Sequence, residues 1–476
     1  MSDTALPQVV IVGAGPAGIR AAEALVAAGI RPLMIDEGSR AGGQIYRQPP
    51  DERQRSKKSL YGFEAGKAAA LHARFAQLLP SIDYRPDTLV WNCTPGQLDL
   101  LHAQRHVEQP YTHLILCTGA LDRVMPFPGW ILPGVYTLGA AQVALKAQAC
   151  VLNGRMVIAG SGPLLYLLAY QYVKAGANVV AVLDTARLHD KLRGFPSLLR
   201  QPVTLAKGLY FIAWLRSKGI RLLDSVQAIA ASGDQQISRL RWQRHGKTTD
   251  IDCDALATGF GLRSETQLAD LAGCEFAFDT LNQQWLPTSD ADGRSSVEGI
   301  YLAGDGHGIA GADAAELSGR AAALALLQDL QPSRFGTGDA LATQAQLRQA
   351  RASNIRFRQG LETTFPTPVH WARHCPDETI ICRCEEITAG QLRHSVAQDG
   401  TREINRLKAL TRVGMGRCQG RVCGAAAAEI LSHASQQEVA AVGRLRGQAP
   451  IKPIPVSVAL AALAQGNPNH AKDGQE

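Results

Sequence analysis

Residues 8–36 constrain the fold more than any other part of the chain. The run QVVIVG at 8–13 is β-branched and apolar and stops at a glycine, the pattern of a parallel strand buried on both faces. GAGPAG follows, then a helix-periodic stretch, then RPLMID as a second strand. This is one strand–helix–strand unit of about 30 residues. Gly13, Gly15 and Gly18 have the spacing G-x-G-x-x-G, with Pro16 and Ala17 opening the helix. Gly13 permits the tight turn, Gly15 lets the backbone approach a pyrophosphate, and Gly18 lets helix and strand pack closely. The helix N-terminus, with its free N–H groups and dipole, favours the anion. Asp36 ends the second strand, with Glu37 beside it, and a carboxylate there accepts hydrogen bonds from an adenosine ribose.

A second unit starts near Arg155. Gly160 and Gly162 repeat the glycine turn, but Leu165 stands where the third glycine would be, and Asp184 ends the next strand. An adenine nucleotide fits this pattern, as NAD(P) or ATP, and so does a vestigial empty site. At 299–306 the string GIYLAGDG puts Gly304 and Asp305 before an Ala/Gly-rich helix. The expected architecture is α/β with two dinucleotide-binding domains, one inserted in the other. Its divisions are 1–145 with 262–335, the inserted 146–261, a polar helical connector at 336–374, a cysteine module at 375–430, and a C-terminal segment at 431–476. Within that segment SVALAALAQ is expected to form a short helix and NPNHAKDGQE to be disordered.

Four of the ten cysteines fall in ICRCEEIT and GMGRCQGRVC: Cys382, Cys384, Cys418 and Cys423. Thiolates grouped this way hold an iron–sulfur cluster or a zinc ion. Zinc sites favour C-x2–4-C knuckles, so C-x-C suits zinc poorly, whereas a [2Fe–2S] cluster takes four thiolates. Gly414, Gly416, Gly420 and Gly424 let the backbone crowd the sulfurs, and Arg383, Arg417 and Arg421 can offset their charge. Zinc, or thiols without a metal, stay open as alternatives. Cys375 reads as incidental.

Net charge is +7 with no Lys/Arg run interleaved with aromatics, which argues against nucleic acid as a partner. No apolar run approaches the roughly 20 residues of a membrane span. The first strand, beginning by Val9, leaves no room for a signal peptide. The other six cysteines are scattered, so a cytoplasmic protein is expected, with membrane contact at most peripheral at the inner face. Eight basic residues between Arg187 and Arg221 surround LYFIAWL. A buried helix with a solvated basic rim is the expected reading; a membrane-surface or partner-docking element is the other.

GIYLAGD resembles the second flavin fingerprint of the glutathione reductase superfamily, over roughly residues 8–330. The resemblance implies FAD, with Asp305 bonding the ribityl chain. Thr118-Gly119 and Thr258-Gly259 resemble the turns that close the nucleotide domains. Gly43 and Gln44 fall where disulfide reductases of this superfamily carry a cysteine pair, and no cysteine stands here. Tyr46 and Arg47 are placed equally well lining the flavin pocket or on the surface. The cysteine pattern resembles the bacterioferritin-associated-ferredoxin-like [2Fe–2S] module, with C-x4-C in place of that module's usual C-x-x-C. Through IDEGSRAGGQIYRQ, GSGPLLYL and GMGRCQGRVC the whole chain resembles the large FAD-containing subunits of opine oxidases and D-hydroxyproline dehydrogenases. The HcnB-type component of hydrogen cyanide synthase and sarcosine oxidase α are related to them. The resemblance implies an electron-relay role, in complex with a D-amino-acid-oxidase-like flavoprotein β subunit. It allows a further small subunit, with a quinone or soluble carrier as acceptor. Two rivals are a self-sufficient NAD(P)H-dependent flavin reductase and a nucleotide-binding scaffold with a zinc or empty cysteine site.

Overall fold

The protein is described by a computed structural model over residues 8–52, 55–336, 338–368 and 371–460. β1 (Val9–Val12) is buried at every residue and leads through the glycine turn into α1 (Pro16–Ala27). β2 (Leu33–Ile35), β3 (Asp83–Arg85) and β4 (His113–Leu116) join it in parallel, β1 lying between β2 and β4. An antiparallel ribbon of Thr88–Thr94, Gln97–His102 and Arg105–Pro110 is inserted between β3 and β4.

β5 (Ala120–Asp122) carries the chain out of this domain. The second domain contains β6 (Val135–Thr137), β7 (Arg155–Ser161), α2 (Pro163–Lys174), β8 (Asn178–Asp184), α3 (Leu188–Leu198), α4 (Pro202–Ser217), β9 (Arg221–Leu223) and β10 (Ala255–Phe260). Its sheet has the order β9-β8-β7-β10-β6. β11 (Leu262–Ser264) pairs antiparallel with β5 and brings the chain back. β12 (Ile300–Leu302) then completes the first sheet, β12-β4-β1-β2-β3. α5 (Ala312–Leu330) follows it and packs on α1. One sheet edge differs from the sequence division at 145/146. β6 pairs with β10, so the inserted domain already includes residues 135–137.

The first core fills the space between sheet and helices. Ile11, Ile19, Leu25, Met34, Ile115 and Leu326 are all fully buried there, each contributing roughly 1.5–3 kcal/mol. Two glycines set how closely the helices approach. A Cβ on Gly18 would lie 1.9 Å from Gly13 O, and one on Gly319 of α5 would lie 1.9 Å from Ala17 O.

α6 (Gly338–Thr364) is the polar connector, and it packs along α3 and α5. The cysteine module follows. Its helices α7 (Ala389–Asp399), α8 (Ile404–Thr411) and α9 (Gly424–Ser435) surround Ile381, Leu392, Leu407, Ile430 and Leu431. α7 starts with a capping box: Gln391 N–H donates to Thr388 Oγ1 (3.3 Å), and Thr388 N–H donates to Gln391 Oε1 (2.8 Å).

Two expectations are revised. Segment 187–221 is not a buried helix: only Leu215 of α4 is fully buried, and α3 exposes most of its leucines. Residues after 430 are not a loose appendage either. Val442 packs in the module core, and Ile451 packs in the core beneath β1 and β4, its N–H donating to Trp91 O (3.0 Å). The expected helix at 457–465 begins as a helix at 456–460; its remainder and the tail NPNHAKDGQE lie outside the described residues. Among the described residues no helix is long and apolar enough to cross a membrane.

Candidate functional site

The first site lies where β1 gives way to α1. Gly13 has φ of 109° and donates to Ile35 O at 2.7 Å. Gly15 is the N-cap of α1 and abuts Gly43, where a Cβ would come within 2.9 Å of Gly15 Cα. A side chain at Gly43 would therefore strike the turn. Pro16 and Ala17 form the first turn of α1, where Pro costs no hydrogen bond. Asp36 accepts from Ala14 N–H (2.5 Å) and Gly38 N–H (2.6 Å). Burial raises the Asp36 pKa, and those two bonds oppose the rise. Glu37 is exposed and pairs instead with Lys452 of the C-terminal segment.

Around this turn the structure gathers several half-satisfied polar groups. Gln44 is exposed and accepts from Arg47 Nη2 (2.8 Å). Tyr46 is not a surface residue: it is 1% exposed, packed edge-on to Tyr61 at 6.1 Å, and its hydroxyl has no partner. Arg47 Nε is likewise buried without a partner. Lys146 donates to Ile45 O (3.0 Å), and burial, with the nearby Arg47 charge, pushes its pKa down to about 8.

Thr118 Oγ1 donates to Glu265 O (2.6 Å), and Gly119 follows with φ of 75°. Gly304 N–H donates to Ser318 Oγ (3.0 Å). Asp305 Oδ1 accepts from Ala310 N–H (2.9 Å) and Gly311 N–H (3.1 Å), which fixes the carboxylate at the start of α5 and leaves Oδ2 free. Burial raises its pKa. A glycine cradle, a helix N-terminus, two anchored carboxylates and unpartnered Tyr46 and Arg47 atoms fit a flavin dinucleotide.

The second glycine turn is built differently. Gly160 and Gly162 sit as expected at the end of β7. Asp184, however, is 1% exposed and already engaged. It accepts from Tyr166 Oη (2.7 Å) and Ala186 N–H (2.9 Å), and pairs with Lys191 at 2.9 Å. The end of the connector lies over the turn: Ser161 Oγ donates to Pro366 O (3.1 Å), and the Phe365 ring meets Tyr166 at 6.5 Å. Arg358, Leu361 and Thr367 join them around a residual cavity of about 40 Å³. Ligand pockets usually need about 300 Å³ or more. The sequence carries no local signal for this closure, because Phe365 meets a residue 199 positions upstream.

The third site joins the four cysteines. Cys382 and Cys423 are buried, Cys418 is half-buried and Cys384 is exposed. The Cys423 thiol donates to both Cys382 and Cys418, and the Cys384 thiol to Cys418. Cys423 and backbone N–H groups hold the Cys382 pKa down to about 6 and the Cys418 pKa down to about 5, while Cys423, between them, is driven up. Gly414 N–H serves Cys382, and Gly420 N–H serves Cys418. At Gly416 a Cβ would come within 2.3 Å of Cys384 Cβ. The C-x4-C spacing therefore closes the site. The sulfurs form a row: among the described residues, the group of three or more ligand atoms lying mutually within 4.8 Å is Asp99, His106 and Glu108, not these cysteines. Four sulfurs around one zinc at 2.3 Å would all be about 3.8 Å apart. The row fits two irons better than one ion. Cys375 lies outside the row, its thiol toward Pro376 O.

Arg421, expected to offset the sulfur charge, is turned into a domain contact with Glu265 (2.6 Å). Arg123 pairs with Glu429 of α9 (2.6 Å), Gln267 Nε2 donates to Gln419 O (2.7 Å), and Trp130 Nε1 donates to Ile380 O (2.6 Å). Glu265 thus bonds Thr118 of the flavin-domain turn through its carbonyl and Arg421 of the module through its carboxylate.

Residues 7–319 match the family model of pyridine nucleotide-disulphide oxidoreductases. The A-type component of opine oxidase from Rhizobium meliloti is 38% identical over 473 residues, covering 96% of this chain and 87% of that one. The chain belongs to the opine oxidase branch of the pyridine nucleotide-disulphide oxidoreductase family. Hydrogen cyanide synthase subunit HcnB of Pseudomonas aeruginosa is 34% identical, covering 94% of this chain and 97% of its own. Residues 380–433 match the BFD-like [2Fe-2S] binding domain. This oxidoreductase component therefore binds FAD and a [2Fe–2S] cluster. Among solved structures, L-proline dehydrogenase from P. horikoshii shares the fold, with a TM-score of 0.68 at 18% identity, covering 95% of this chain and 79% of that one.

Proposed function

We propose that the chain is the electron-relay subunit of a hetero-oligomeric amine or imino-acid dehydrogenase. A D-amino-acid-oxidase-like flavoprotein subunit removes hydride from an opine, D-hydroxyproline or a similar secondary amine. This chain passes the electrons to a quinone or soluble acceptor. The opine oxidase and HcnB relatives are themselves named as subunits, which supports a partner.

In this reading Gly13, Gly15 and Gly18 with the start of α1 hold the FAD pyrophosphate. Asp36 takes the adenosine ribose, Asp305 takes the ribityl chain, and Gly43 keeps the cradle clear. Cys382, Cys384, Cys418 and Cys423 hold the cluster. When bound, FAD exchanges electrons in pairs or singly, whereas a [2Fe–2S] cluster carries one at a time.

The observation that carries the reading is the closed second turn. Phe365 and Pro366 cover it and Asp184 is spent on Tyr166 and Lys191, so a pyridine nucleotide has neither room nor its ribose acceptor. That speaks against direct reduction by NAD(P)H and for electrons arriving from a partner protein. Anaerobic mixing tests it. NADH and NADPH should leave the flavin of the purified chain oxidised, and bleaching should need the partner subunit with its amine. Rapid bleaching by either nucleotide alone would sink the proposal.

A further inference from the structure

Outside the sites described above, α3 and α4 form an exposed helical pair on the second domain. Leu188, Leu192, Phe195 and Leu199 recur along α3 at helical spacing, and Val203 follows at the start of α4; these five side chains are 44–69% exposed. The other side of α3 is buried through Gly194 and Leu198, so the stripe is the face left over after packing. Leu209 and Tyr210 continue it, and Phe63 of the first domain joins through Tyr210 at 5.5 Å. Isolated exposed leucines are common, but a contiguous apolar patch of this size marks a docking surface.

Charge narrows the occupant. Residues 187–221 contain eight Lys and Arg and one acidic residue, Asp190, an excess equal to the net +7 of the whole chain. The rest of the protein is therefore balanced. Lys191 and Lys207 are paired, with Asp184 and Glu64. Arg187, Arg193, Arg200 and Arg216 have no acidic partner among the described residues. A second copy would set this charge against itself. A protein interface concentrates its energy in Trp, Tyr and Arg seated in pockets, and leucine and valine are under-represented there. Here the apolar residues are mainly aliphatic and protrude. That combination is the signature of a helix lying in a membrane interface, its leucines about 5–10 Å below the headgroups and its cations among the phosphates.

We propose that the α3–α4 face docks this chain on an anionic lipid surface. The docking uses neither the flavin nor the cysteines, so it stands or falls separately from the relay reading. The test is flotation of the full-length holoprotein with phosphatidylcholine vesicles, with and without phosphatidylglycerol. Binding is expected only with phosphatidylglycerol, and should fade toward about 1 M salt, where screening shortens to about 3 Å. Each cation near an anionic bilayer contributes about fivefold to partitioning, so Arg193→Ala with Arg200→Ala should lower it roughly 25-fold. Leu192→Glu with Phe195→Glu should abolish it. Both double variants should keep the wild-type melting temperature and flavin spectrum, because all four side chains are exposed. If the glutamate pair proves unstable, the arginine pair decides alone. The proposal is overturned if phosphatidylglycerol vesicles do not bind the chain, or if binding ignores both variants. It is equally overturned if the vesicles fail and the variants disrupt self-association or assembly with the partner subunit.

Discussion

His307 shows how one residue couples the flavin end of the fold to pH. It follows Asp305 by two positions, Arg351 Nη2 stands 3.5 Å from its Nε2, and its Nδ1 has no partner. Burial, and then the Arg351 charge, push its pKa down to about 4. An unfolded histidine titrates near 6.5, so between those values the unfolded chain binds the extra proton. Stability should therefore fall as pH drops from about 6.5 to about 4 and level off below, a loss of up to about 3 kcal/mol. Urea titrations across that window should show the slope, and His307→Gln should flatten it; an unchanged slope would exonerate the histidine. Gly319 carries a second residue-scale prediction. Its added methyl in Gly319→Ala would meet the Ala17 carbonyl of α1 at 1.9 Å, where backbone cannot yield cheaply. A loss of about 1–3 kcal/mol is expected. FAD should wash out on gel filtration, since α1 and α5 both present their N-termini to the site.

At the scale of elements, legibility followed contiguity. β1, the glycine turn, α1 and β2 were readable because each requirement sits within about 30 adjacent residues. The cysteine pairs were readable for the same reason. Whether Cys423 could reach Cys382 was not, because it depends on how α9 packs across the module. Nor could sequence show that the connector closes the second turn, since the Ser161–Pro366 contact spans 205 positions. α3 was misjudged because an apolar run between cations looks the same whether its stripe meets a core or is left outside. Packing alone decides, and Gly194 and Leu198 took the buried side. The closure predicts a local effect. Phe365→Ala removes a half-buried ring from Tyr166 and should cost about 1–2 kcal/mol, less than the roughly 3–5 kcal/mol of a fully buried phenylalanine. Thermal melts should shift down while flavin absorbance and the reduced cluster's spin signal stay unchanged. Loss of flavin instead would mean that the connector supports the first domain and not merely the second turn.

Across the whole molecule, the relay depends on the module being held against the hairpin of β5 and β11. Two buried pairs do this, Arg421–Glu265 and Arg123–Glu429, with side chains 7–16% exposed. A buried pair adds little net stability, because desolvation offsets the attraction. Breaking one is another matter, since the remaining charge stays buried without compensation, at about 3–5 kcal/mol. Glu265→Gln should therefore strand Arg421 beside Cys418 while preserving shape. The four cysteines are untouched, and the module keeps its own core around Ile381, Leu392 and Leu407. Undocking rather than unfolding is the expected result. Denaturation should split into two transitions, with the module melting separately, and the cluster's spin signal should persist in the folded variant. Electron arrival at the cluster after photoreduction of the flavin should slow sharply, because tunnelling needs the short approach that the pair enforces. A variant that still melts in one step and relays at the wild-type rate would show that Trp130, Gln267 and the Arg123–Glu429 pair hold the domains without Glu265.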